Sequence, residues 1–258
     1  MIRHTMIHRL GVQVLVFLEY LGHLTIYTIR ILRRLFSGKW KLHTLLEQMV
    51  NLGIQSLPIT IVTSTFVGMA FAIQVVKEFL RFGAAQMIGG VVGLAIWREL
   101  GPLLTGVVIA GRVGSAIAAE LGSMKVTEQV EALETMSQDP ISYLAVPRVL
   151  ALTFLMPFLV AIADITGFLG GFLVAVGSGK INPVAYFYSA QVMLTTGDIL
   201  GGLLKAVFFG FVVSIIGSYM GLTATAGAKG VGRMTRISVV ASLISIFVLN
   251  YFLSLVVY

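Results

Sequence analysis

The sequence predicts an all-α integral membrane protein: an interfacial amphipathic helix at the N-terminus, five transmembrane helices, and a short helix in a cytoplasmic loop. Three observations predict it. Of the 258 residues, 57% are hydrophobic and only 11% are charged, against roughly 25% charged in a soluble domain. Mean hydropathy is +0.96. Apolar runs near the ~20 residues a span requires recur along the chain. Backbone groups in lipid must be satisfied within the segment, and the alternation of a barrel strand is absent, so the runs are helices.

The predicted spans are Leu52–Val76, Met87–Gly111, Val149–Val176, Ile199–Leu222 and Ile237–Tyr258. The run Leu10–Ile29 is also long enough to span. However, Glu19, His23, Arg30 and Arg34 share one helical stripe, which favours a helix lying in the interface over a sixth span. The chain thus divides into residues 1–50, the interfacial helix and its connector, and residues 51–258, the five-span unit.

Basic residues set the orientation. Arg3 and Arg9, the cluster Arg30, Arg33, Arg34, Lys39 and Lys41, then Arg112, Lys125 and Arg148, and finally Lys229, Arg233 and Arg236 all fall on one side. That side is assigned to the cytoplasm, which leaves the C-terminus on the opposite face. The net charge of +7 comes from these short clusters between apolar runs, not from one polar face, so nucleic acid is not a partner.

The second span carries LAIWRELGPLLTG, residues 94–106. Arg98 and Glu99 lie near its middle, where a charge costs several kcal/mol, roughly 2.5–3.5 on insertion scales. Successive helical residues diverge by about 100°, so the two do not pair with each other. Each needs its own partner. Pro102 removes a backbone donor and Gly101 weakens the helix, which predicts a bend. Two readings stand: a buried ion pair with another span, for instance Arg98 with Asp164, or a polar patch on the wall of a substrate cavity.

Gly106, Ala110, Gly114, Ala118 and Gly122 follow at four-residue spacing, with Gly111, Ser115 and Ala119 as a second row. Such a ridge serves close helix packing, within the chain or across a dimer axis. Gly167, Gly170 and Gly171 are the expected complementary surface. In GSMKVTEQVEALETMSQDP, residues 122–140, Val126, Val130 and Leu133 keep helical spacing with Met136 near the same stripe. Glu128, Glu131 and Glu134 take another face, and Pro140 ends the helix. Its apolar face packs on the bundle, or it docks a soluble partner.

Several chemistries are excluded. There is no cysteine. GSGK at 177–180 has Val174 and Ile181 where a phosphate loop needs Gly and Ser or Thr. His4 and His8 lack further ligands for a metal, and no nucleophile elbow is present. No catalytic residue, metal or bound cofactor is expected.

RELGP followed by AGRVGSAIAAELGSMKVTEQVEALETMSQDP resembles the signature region of the MlaE (YrbE) family of ABC transporter permeases, and the likeness extends over nearly the whole chain. The resemblance implies a homodimer in the inner membrane of a Gram-negative cell, its N-terminal helix at the cytoplasmic face and its C-terminus periplasmic. It implies a cytoplasmic ATPase that holds ATP and Mg, a STAS-domain protein and a periplasmic ring of MCE domains. The complex would move phospholipid between the inner and outer membranes and maintain outer-membrane lipid asymmetry. The segment 124–138 would be the coupling helix, meeting the ATPase through Lys125, Glu128, Glu131, Leu133, Glu134 and Met136. A lipid cavity would lie at the dimer interface between the first two spans, walled by Phe71, Gln74, Phe79, Phe82, Arg98, Glu99 and Leu100. Phe71 and Phe79 suit lipid tails and Arg98 suits a phosphate, but Glu99 and the nearby Lys77 and Glu78 are unexplained by it. An ion-coupled carrier using Glu99 and Asp164, and a membrane scaffold without transport, are the alternatives.

Overall fold

The computed structural model describes residues 2–36, 42–225 and 227–258. Lys39 and Lys41, and the side chains of Arg3, His4, His8 and Arg9, lie outside that description. The described residues form helices joined by short turns, with no strand, and five helices are long and apolar enough to cross a membrane: Leu42–Arg81, Ala85–Val126, Ile141–Gly177, Thr196–Leu222 and Gly227–Val257.

Helix α1 (Ile2–Phe36) is outside that set. It docks through Tyr20 and Tyr27, whose rings meet Tyr219, and through the fully buried Ile31, while Leu15, Leu18 and Leu21 stay exposed. The first span joins α2 (Leu42–Gly53) to α3 (Leu57–Arg81) through a 3-10 turn at Ile54–Ser56. The second joins α4 (Ile88–Ala95), α5 (Gly101–Ile109) and α6 (Ser115–Val126) through two π-helical turns, Ile96–Leu100 and Ala110–Gly114. Both spans outrun the predicted limits, because helical hydrogen bonding continues past the apolar run into polar turns.

After α7 (Gln129–Thr135), the third span is α8 (Val146–Gly177), opened by a π-turn at Ile141–Ala145. α9 (Pro183–Met193) lies between the third and fourth predicted spans, where no helix is predicted. Asn182 caps it, accepting from the Val184 N–H at 2.8 Å, and Pro183 takes the first turn. It lies on α4 and buries Tyr186 among Phe168, Phe172 and Phe187. α10 (Thr196–Leu222) and α11 (Gly227–Val257) complete the fold.

α8 is central, with α2, α3, α5 and α10 against it. Small residues set the closeness. A methyl on Gly68 would overlap the Gly167 carbonyl, and one on Gly170 the Thr65 carbonyl. Ser64 and Thr166 bond across the same seam at 2.7 Å. Gly167, Gly170 and Gly171 therefore pack against α3, Ile96, Val92 and Tyr186, not against the 106–122 ridge as predicted. The ridge instead faces α10 and α11: Gly106 meets Phe209 and Ile246, Gly114 meets Val213, and Gly122 meets Val231 and Ala224. This row packs within the chain, whereas Gly111 of the second row has nothing within 4 Å of an added methyl. Each glycine was legible, but the partner of each ridge was not, since small residues fit any small-residue face.

Candidate functional site

Helix α5 begins at Gly101–Pro102, directly after the π-turn that holds Arg98 and Glu99. Pro102 has no N–H to give the Arg98 carbonyl at i−4. The predicted bend takes the form of this π-turn, and the Arg98 carbonyl is served from another helix. Lys205 Nζ on α10 donates to it at 2.8 Å. The same ammonium donates to Glu99 Oε1 at 2.7 Å and to Ser254 Oγ at 2.8 Å. Its three protons thus have three acceptors, so the fully buried ammonium is satisfied in hydrogen bonds. Ser254 Oγ and Asn250 Nδ2, one turn apart on α11, donate to Glu99 at 2.7 and 2.8 Å.

Arg98 turns to a different carboxylate. Its Nε and Nη2 both lie 2.7 Å from Asp198 Oδ1. Asp198 Oδ2 accepts from the backbone N–H and hydroxyl of Thr195, at 2.8 and 2.9 Å, which closes a capping box at the start of α10. One carboxylate therefore starts a helix and anchors an arginine. The Tyr258 ring lies 4.8 Å from both Arg98 Cζ and Lys205 Nζ, and its hydroxyl donates to the Asp198 carbonyl at 3.1 Å. The cluster holds two cations and two anions, so its formal charge is zero. Arg98 keeps 39% of its side chain exposed, and Nη1 makes no hydrogen bond to the described residues. One edge of the guanidinium is therefore exposed.

The predicted pairing of Arg98 with Asp164 is not formed. Asp164 is fully buried on α8, and neither of its oxygens has a hydrogen-bond partner among the described residues. It sits against Gly101, where a methyl would overlap Oδ1. The glycine of RELGP is thus required by a carboxyl on another span. Beside it a crevice lined by Thr63, Ser64, Leu100, Leu104 and Thr105 has about 10 Å³ of space, about enough for one water.

The expected cavity wall is divided. Phe71, Phe79 and Leu100 pack, half-buried, around Val92 and Tyr186. Gln74 is exposed, as is Phe82 at 81%. Arg98 and Glu99 turn away from these residues, toward α10 and α11. Glu78 pairs with Arg81 at 3.3 Å on the exposed end of α3.

The segment 122–140 is not one helix. α6 ends at Val126, Glu128 adopts a left-handed backbone at φ 60°, and α7 covers only Gln129–Thr135. Val130 is buried and Leu133 half-buried, as the spacing predicts. Met136, past the helix end, is 71% exposed and off that stripe. Lys125 bonds Glu131 and holds its carboxyl below the usual carboxylate range. Glu128 and Glu134 remain exposed. Asp139 pairs with Arg34 of α1 at 2.9 Å, and Glu120 with Arg148 at 3.2 Å.

Sequence reasoning did not assign Lys205, Asp198, Asn250, Ser254 or Tyr258 to the site. Signals existed for some of them. T-x-x-D at 195–198 is a capping box, and a lysine within an apolar span needs a partner. Nothing in the linear order joined 98 to 198 or 99 to 250.

A bundle of five helices long and apolar enough to cross a membrane, with a compensated charge cluster on an irregular helix, places the chain in the class of multi-pass membrane proteins. The chain belongs to the MlaE permease family: the family pattern described as Permease MlaE matches residues 45–256. Its relatives include a probable ABC transporter permease protein of Synechocystis, 46% identical over 85% of this chain and 84% of the relative. One of Rickettsia prowazekii is 42% identical over 96% and 95%. The chloroplastic protein trigalactosyldiacylglycerol 1 of Arabidopsis thaliana is 42% identical over 87% of this chain and 64% of its own length.

Proposed function

We propose that this chain is the inner-membrane permease of an ATP-driven transporter that moves phospholipid between the inner and outer membranes and so maintains outer-membrane lipid asymmetry. The observation that carries it is the exposed edge of Arg98 on a π-turn, braced by Asp198, Lys205 and Glu99. A guanidinium fork matches a phosphate well, and repulsion from Glu99 is offset because Lys205 neutralises it while Asn250 and Ser254 hydrogen-bond it. The plant relative bears the name of a glycerolipid, which agrees with a lipid cargo.

ATP hydrolysis belongs to a separate cytoplasmic subunit, with a STAS-domain protein, a periplasmic lipid-binding ring and a second copy of this chain completing the assembly. The exposed Glu128 and Glu134 on the turn and helix after α6 would dock that ATPase. From there one continuous helical span, Ala85–Val126, runs to Arg98. Its two π-turns are the places where a push is absorbed.

The test is ATP-dependent transfer of labelled phospholipid between vesicles by the reconstituted complex. Arg98→Leu with Glu99→Gln should abolish transfer while the ATPase still co-purifies; a scaffold would be unaffected. Glu128→Lys with Glu134→Lys should release the ATPase. One observation favours an ion-coupled carrier instead, the partnerless Asp164. Transport that continues without ATP and collapses with a proton gradient would establish that reading.

A further inference from the structure

A polar cleft lies at the other end of the second span, away from the Arg98 cluster. It has about 210 Å³ of space between Gln48, Asn51, Leu52 and Gln55 of the first span and Arg112, Val113, Ala116 and Glu120 of the second. Gln48, Asn51 and Gln55 are spaced three and four apart, and Arg112, Ala116 and Glu120 four apart. Each set is one helical stripe, and the two stripes face each other across the cleft. Arg112 is in the second π-turn. Its Nη1 donates to the buried Ser56 Oγ at 2.6 Å, and Ser56 Oγ donates to the Leu52 carbonyl at 2.6 Å. One corner of the guanidinium is thereby fixed. Among the described residues, the carboxamides of Gln48, Asn51 and Gln55 make no hydrogen bond. At the opposite end of the stripe, Glu120 pairs with Arg148 at 3.2 Å yet keeps 54% of its side chain exposed.

Depth identifies what reaches such a cleft. Arg112 is about 21 Å from Arg98 along the helix at 1.5 Å per residue. Arg98 pairs with the first turn of α10 and lies against Tyr258 at the end of the fifth span, so it is toward one face of the bilayer, and a point about 21 Å further along the helix is in the opposite leaflet of a hydrocarbon core about 30 Å thick. We propose that this cleft is a phospholipid headgroup site in the cytoplasmic leaflet, which takes the phosphodiester on Arg112 and the carboxamides and the ammonium of a zwitterionic headgroup at Glu120. It rests on the transporter reading above, and adds a second lipid station on the same helix. The cleft holds a cation, an anion and three unspent carboxamides, with Leu52, Val113 and Ala116 as its apolar lining, which is the donor and acceptor pattern of a zwitterionic phosphodiester.

The test uses the full chain, assembled with its partners in vesicles of phosphatidylethanolamine and phosphatidylglycerol. A photo-crosslinking residue replaces Ala116, or Leu100 at the transport site, or the outward Phe66 as a measure of bulk lipid. The expected result is a phospholipid adduct at 116, richer in phosphatidylethanolamine than at 66. It should fall about tenfold in Arg112→Gln, the loss expected for one charge-assisted bond. It should persist in Arg112→Lys, and Glu120→Gln should shift it toward phosphatidylglycerol. Arg112 also holds Ser56, so Gln48→Leu with Asn51→Leu provides a second variant that should lose the adduct without touching that bond. Adducts at 116 that match those at 66 and ignore every substitution would reduce the site to bulk lipid and overturn the proposal. So would a protein adduct at 116 in place of lipid. Inorganic phosphate that protects Arg112 from an arginine-specific dicarbonyl as well as short-chain phosphatidylethanolamine does would also overturn it, leaving a plain anion site. Lipid at 116 with none at 100 would retain this site and sink the transport-site reading.

Discussion

Lys205 Nζ donates to the Arg98 carbonyl at 2.8 Å, replacing the N–H that Pro102 cannot supply. An intramembrane lysine, a proline one span away and a π-turn are thus parts of one device. The lysine repairs the backbone and, with the same ammonium, holds Glu99 at 2.7 Å.

Lys205→Met leaves Glu99 charged without its cation and the Arg98 carbonyl without this donor. Breaking a fully buried pair from one side costs about 3–5 kcal/mol, and the cost here is smaller because 39% of the Glu99 side chain is exposed to solvent screening. A fall in thermal midpoint of the detergent-purified protein is expected. Adding Glu99→Gln should recover much of the stability, though not transport. A double variant no more stable than Lys205→Met would show that the two residues are not coupled.

Gly101→Ala places a methyl on Asp164 Oδ1. Overpacking of this kind costs about 1–3 kcal/mol. The companion change Asp164→Gly removes the obstacle, so the double variant should lie closer to wild type than the two losses added together. Unfolding midpoints of the four proteins measure this coupling.

Gly68→Ala should separate α3 from α8, since its methyl would meet the rigid Gly167 backbone. Gly111→Ala has nothing within 4 Å of the new methyl and should fold normally as a lone copy. Yields of folded protein after gel filtration distinguish the two.

Glu131 titrates below its ordinary value because Lys125 hydrogen-bonds its carboxylate. A carboxyl depressed in the folded state stabilises α7 above the ordinary glutamate pKa of about 4.3. The contribution is lost as pH falls through the depressed folded value. Amide exchange in 129–135 should therefore rise only on acidification below that range. In Lys125→Ala, exchange should already be faster at neutral pH and change less on acidification.

The number of spans, the all-α class and the need for a partner for both Arg98 and Glu99 were legible in the sequence. They depend on local quantities: apolar run length, the 100° step of a helix, and the cost of charge in lipid. Family membership was legible too, because the run from RELGP to SQDP is continuous. Other local signals were passed over: the Asn182–Pro183 helix start and the Thr195–Asp198 capping box. Which partner each charge takes was decided only by tertiary structure. Arg98 had Asp164 and Asp198 as candidate carboxylates, and spacing along the chain does not choose between them. The choice follows from which faces of α5, α8 and α10 are close enough to touch, set by glycines at 68, 167 and 202 whose added methyls would meet neighbouring backbone. Sequence records the need for a partner locally, whereas the identity of the partner is a property of packed helices.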